Sequence, residues 1–143
     1  GLYMVEQLHK DGEIEAGAVM DNYVTFMASV FRSVRFGASS AHGRANMLRF
    51  NLLMEAGAFQ RDPATGTYRV DAEKMQEAIA DLSALILRLQ GDGDLAGVQE
   101  LMREQGNMGA ALQQDLDRLK KGNIPVDVVF EQGLDVLGLG TAP

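Results

Sequence analysis

The chain has 143 residues, 46% of them hydrophobic and 23% charged, with a formal net charge of −7 and no cysteine. That length suits one domain with a real hydrophobic core, and the balance lies far from the high-charge regime of disordered chains. The acidic excess disfavours a protein that tracks a phosphate backbone, so no nucleic-acid partner is expected; without cysteine, disulfides, thiolate zinc sites and thiol nucleophiles are excluded. No apolar run approaches the roughly 18 residues that cross a bilayer, so no membrane partner is expected either. The chain opens on Gly1-Leu2-Tyr3 without methionine. Its true amino terminus is therefore expected upstream; a cytoplasmic location is the working expectation, with an upstream signal peptide left open.

Leu2, Tyr3, Val5 and Leu8 predict a short helix stopped by Asp11-Gly12, with His9 in the last turn, where a histidine suits the carbonyl end of the helix dipole. Val19, Tyr23, Phe26, Met27, Val30, Phe31 and Val34 recur at helical spacing and predict a longer helix from about Ile14 to Phe36. Arg32 and Arg35 suit its carboxyl end, and Gly37 closes it. Ser39 or Ser40 caps the next helix, Ala41 to Glu55. Met47, Leu48, Phe50, Leu52, Leu53 and Met54 put apolar groups around most of its circumference, which predicts a central position. Gly43 in its first turn costs about 1 kcal/mol against alanine, implying that a side chain is unwelcome there or that backbone approaches closely.

Two short segments, Ala58 to Arg61 and Thr67 to Val70, flank a proline-then-glycine turn and predict a β-hairpin over 58–70. It is too short to stand alone and must lean on the helices. Asp71 caps a helix from Ala72 to about Gln90, with Met75, Ile79, Leu82, Leu85, Ile86 and Leu89 as its stripe. Gly91-Asp92-Gly93-Asp94 reads as a turn and helix cap; the further ligands and terminal glutamate of a calcium loop are missing. Leu95, Val98, Leu101 and Met102 predict a fifth helix ending near Gly106, and Met108, Leu112, Leu116 and Leu119 a sixth ending at Gly122. Ile124 to Phe130, a proline followed by β-branched residues, predicts an extended segment, and Gly133 to Pro143 a fraying end. The expected fold is mainly all-α: one antiparallel, bundle-like domain over 1–143 with a short hairpin and an extended tail over 124–143.

Standard catalytic signatures are absent: no HExxH, GxSxG, GxxxxGK[ST] or strand-linked GxGxxG occurs. Glu13 and Glu15, like Asp115 and Asp117, are two residues apart on helical ground, do not face each other, and read as solvated surface charges. His42, Asn46 and Arg49 follow spacings of four and three and share one helix face, while Arg44 lies elsewhere on the same turn. A histidine there can donate to a carbonyl or stabilise an oxyanion, and helix-start amides favour the same charge. The alternatives are a histidine satisfied by backbone inside a helical core, and small-anion binding by Ser39, Ser40, His42 and Arg44.

The segments Tyr23-Val24-Thr25-Phe26, Phe31 through Met47 with Ala41-His42-Gly43 at its centre, Leu89-Gln90-Gly91-Asp92-Gly93-Asp94 and Ile124 through Gly133 resemble the carboxyl-terminal part of bacterial dipeptidyl peptidase III. The resemblance spans nearly the whole chain. It implies a zinc peptidase that releases dipeptides from the amino terminus of short peptides, with zinc held by an HExxGH helix and an EExxAD-type motif. Both motifs are absent here, so the resemblance implies a fragment beginning downstream of the metal ligands, inactive alone and holding no zinc itself. It puts the family's transition-state-stabilising histidine on His42 and substrate contacts near Arg44 and Asn46. Eukaryotic members tend to carry arginine at the position of Asn46, a departure that removes a guanidinium contact. The implied partners are peptide substrate and the remainder of the peptidase chain; a fragment lacking that remainder is expected to expose an apolar face and to form a homodimer through it. The alternative function is a non-catalytic helical interaction or scaffold module.

Overall fold

The computed structural model describes residues 1–35, 37–122, 130–134 and 136–139. Among these the elements run α1 (Leu2–Lys10), α2 (Val19–Val34), α3 (Ala41–Glu55), β1 (Phe59–Arg61), β2 (Tyr68–Val70), α4 (Ala72–Gly91), α5 (Leu95–Gln105) and α6 (Ala110–Lys121). The chain is thus mainly helical with a two-stranded antiparallel hairpin, as its sequence pattern implies. The expected extended run beginning at Ile124 lies outside the described residues up to Phe130.

The helix ends follow the expected caps, with one difference at α2. Ser40, Asp71 and Asp94 each accept a backbone N–H three residues on, from Gly43, Lys74 and Gly97. α2 begins at Val19, later than Ile14. The amides of Glu13 and Ile14 fold back onto the Leu8 carbonyl at 2.9 and 3.3 Å, closing the end of α1. Gly17 then takes a φ of +77°, and Asp21 accepts the Ala18 N–H at 3.1 Å to start α2 afresh.

α3 lies centrally, packed against α2, α4, α5 and β1. Its Met47, Phe50 and Leu53 meet Tyr23, Met27, Val30 and Val34 of α2, Phe59 of the hairpin, Met75 and Ile79 of α4, and Leu112 and Leu116 of α6 in one core. An aromatic chain joins the layers: Phe31 stands edge-on to Tyr68 at 4.7 Å and to Phe50 at 5.6 Å. The stripe of α4 is buried only over its first half. Met75, Ala78 and Ile79 are core, whereas Ile86 and Leu87 are exposed.

The hairpin pairs Phe59 with Val70, Gln60 with Arg69 and Arg61 with Tyr68. Its support is Asp115, which is only 7% exposed and so corrects the expectation of a solvated surface charge. Arg61 donates to both Asp115 oxygens at 2.7 and 3.1 Å, and the Tyr68 hydroxyl donates at 2.8 Å. Arg118 donates to the Thr65 and Gly66 carbonyls at 2.9 Å each. α6 thereby holds both the strands and the turn of an element too short to persist alone. Asp117, Glu13 and Glu15 are exposed, as expected.

Candidate functional site

The stretch singled out by sequence is the turn from α2 into α3. Gly37, at φ +90°, donates to the Val34 carbonyl at 3.0 Å and reverses the chain. The Ser40 hydroxyl accepts the Gly43 N–H at 3.0 Å, and the Arg44 N–H reaches the Ser40 carbonyl at 2.9 Å, the first full helical bond. Gly43 is required by space: a Cβ there would lie 2.5 Å from the Gly37 carbonyl oxygen and 3.1 Å from the Ala38 Cα. The cost of glycine inside a helix is offset by this close backbone approach.

On this frame His42 and Arg44 are exposed, while Asn46 and Arg49 are half-buried. Neither the His42 nor the Arg44 side chain makes a hydrogen bond among the described residues. Asn46 donates from Nδ2 to the Ser33 hydroxyl of α2 at 2.5 Å, and its Oδ1 accepts from Arg49 Nη1 at 2.9 Å. The structure thus joins Asn46 and Arg49 directly, keeps His42 on the same face about one turn above Asn46 and two above Arg49, and leaves Arg44 about 140–160° around the helix from Asn46 and Arg49. Ser33 escapes a reading by sequence alone. It lies beside the apolar stripe of α2, and only the α2–α3 crossing reveals its partner.

A second polar group sits at the other end of the bundle. Glu6 is 3% exposed and accepts the Tyr23 hydroxyl at 2.5 Å. Burial, then the bond to the Glu6 carboxylate, pushes the Tyr23 hydroxyl well above its ordinary value. His9 occupies the last turn of α1, as expected, with its Nε2 buried and unpartnered among the described residues. These side chains line a cleft of about 370 Å³ shared with Lys10 and Glu73. Among the described residues no group of three or more His, Cys, Asp or Glu could hold a metal ion.

No family model matches the chain. Dipeptidyl peptidase III from Caldithrix abyssi superposes with a TM-score of 0.84 at 31% identity, over 97% of this chain and 26% of that one. In fold and sequence, the chain matches a part of dipeptidyl peptidase III. The dipeptidyl peptidase III of Corallococcus sp. strain EGB agrees, with a TM-score of 0.79 and 35% identity over 90% of this chain and 23% of that one. A curated relative, Nudix hydrolase 3 of Arabidopsis thaliana, is 36% identical over 128 residues, which is 90% of this chain and 16% of the plant protein. The chain spans about a quarter of the solved peptidases and less of the plant protein, most of which lies outside the match.

Proposed function

We propose that the chain is the carboxyl-terminal helical portion of a cytoplasmic zinc dipeptidyl peptidase, contributing His42 to the site at which amino-terminal dipeptides are released from oligopeptides. The observation that carries this is the joint match to two dipeptidyl peptidase III structures over 97% and 90% of this chain. Among the described residues no group of three or more His, Cys, Asp or Glu could hold zinc; in this reading the metal ligands come from the remainder of the parent chain, and no step is derived through them. The partners of this portion are that remainder and the peptide, and the portion alone is inactive. Exposed Tyr3, Met4, Ile86 and Leu87 offer the apolar surface for the remainder, or for a second copy where it is lacking.

Within this reading His42 acts from the exposed first turn of α3. An imidazole N–H there donates to the oxygen that gains charge as a peptide carbonyl is attacked, and the first-turn amides add a favourable dipole at the same end of the helix. Arg44, exposed on the same turn but facing away from His42, is in this reading the less direct substrate contact. The plant relative's name denotes a different hydrolase class, but it belongs to a chain of which this segment matches only 16%.

The test is His42→Ala in the intact parent enzyme. Turnover is expected to fall by about 10²–10³-fold, as for loss of an oxyanion donor, with zinc content unchanged. Turnover at the wild-type rate would refute the assignment.

A further inference from the structure

We propose that Ser33 and Asn46 are a positioning pair that sets the orientation of His42. The catalytic consequence rests on the reading of His42 given above; the structural claim does not.

The donor inventory fixes the direction of the network. A guanidinium can only donate, so the Asn46 oxygen faces Arg49 and its amide NH₂ faces the Ser33 hydroxyl. Both polar ends of the amide are then engaged inside the protein.

Geometry makes His42 the beneficiary. His42, Asn46, Arg49 and Leu53 fall at spacings of four, three and four, one face of α3. Leu53 is 1% exposed, so this face points into the core. At its upper end the face carries His42, which is exposed, one turn above the bond that joins α3 to α2. The Ser33–Asn46 bond lies one turn, about 5–6 Å, below it. A side chain extends about 5–6 Å from a helix axis, so a 10° rotation of α3 carries the imidazole by about 1 Å. Misplacement on that scale is enough to cost up to about a hundredfold in rate. Apolar contacts along α2 tolerate such a rotation better than a directional bond between the two helices does.

The chain contains two histidines, so its imidazole NMR spectrum holds two sets of signals, assigned with His9→Gln. In the 143-residue chain, Ser33→Ala and Asn46→Leu are expected to shift and broaden the His42 signals while those of His9 stay in place. Ser33→Thr keeps the hydroxyl and is expected to keep the wild-type His42 signals. Circular dichroism reports whether each variant folds; should Asn46→Leu unfold, the Ser33→Ala and Ser33→Thr pair, which removes and restores one hydroxyl, decides. His42 signals that do not move in the folded variants overturn the proposal. In the intact parent, Ser33→Ala is expected to lower kcat by about tenfold or more with KM unchanged, and Ser33→Thr to restore it. His42→Ala run in parallel separates the two claims. If it abolishes turnover while Ser33→Ala leaves kcat intact, the pair does not position the histidine for catalysis; if it leaves turnover intact, the role of His42 fails and the NMR result alone decides the pair.

Discussion

Gly43→Ala reverses the usual sign of a glycine-to-alanine change in a helix. Alanine ordinarily gains about 1 kcal/mol there. At this position the new Cβ would lie 2.5 Å from the Gly37 carbonyl oxygen, 3.1 Å from the Ala38 Cα and 3.2 Å from the Ser40 Oγ. The two nearest are backbone atoms, so no side-chain rotation relieves them. The turn must move instead, against Gly37's bond to the Val34 carbonyl and Ser40's bond to the Gly43 amide. Overpacking costs about 1–3 kcal/mol and a lost cap about 1 more. Less the helix gain, the variant is expected to lose about 1–3 kcal/mol, or roughly 2–4 °C of Tm for each kcal/mol. Urea denaturation measures it, with Gly91→Ala as control. Gly91 ends α4, and a methyl added there would meet nothing within 4 Å, so alanine is expected to be neutral or to stabilise by up to about 1 kcal/mol. A Gly43→Ala protein as stable as wild type would refute the close approach and with it the described geometry of the turn that carries His42.

Asp115→Ala removes the acceptor shared by Arg61 and Tyr68 and is expected to cost about 2–3 kcal/mol in urea denaturation, with the near-ultraviolet signal of the tyrosines changing as the hairpin loosens. The same cluster sets a pH dependence. Arg61's hydrogen bonds hold the Asp115 carboxyl below its ordinary value, so this stabilisation is complete above the unfolded value near 4 and is lost as pH falls toward the lower folded value. Burial, followed by the bond to Asp115, pushes the Tyr68 hydroxyl up to about 12, so its contribution is present below about 10 and is lost as pH rises toward 12. A stability difference between wild type and Asp115→Ala that does not shrink as pH falls below 4 would refute the acid limb.

Most of the fold was legible because it rests on local rules. The stripe Val19 to Val34, the caps Ser40, Asp71 and Asp94, and the turn at Asp62–Gly66 each declare themselves within a few residues, and each is where the pattern puts it. Gly43 was legible too, because a glycine in a first helical turn is an exception that asks for a reason. What stayed hidden depends on distant partners. Asp115 reads as a surface charge on α6 until Arg61 and Tyr68, 54 and 47 residues away, are brought to it. Glu6, which the pattern of α1 does not single out, is buried by its bond to Tyr23, 17 residues away. The apolar stripe of α4 misleads in the other direction: its period continues to Leu89, but full burial ends at Ile79, and Ile86 emerges exposed. Of the site, the residues on one face of α3 were legible from spacing, and Ser33 was not.

The distribution of satisfied and unsatisfied polar groups separates support from chemistry. Asp115, Glu6 and Asn46 all have their partners within the chain and are buried or half-buried; each fixes one element against another. His42 and Arg44 are exposed and have no such partner among the described residues, although they stand on the most constrained turn, with a capped helix start, a glycine approach and a cross-helix bond one turn below. A constrained backbone that carries exposed side chains engaging nothing within their own chain gains no stability from those side chains. On the function proposed above, their partner is external, and the peptide is the one that proposal names.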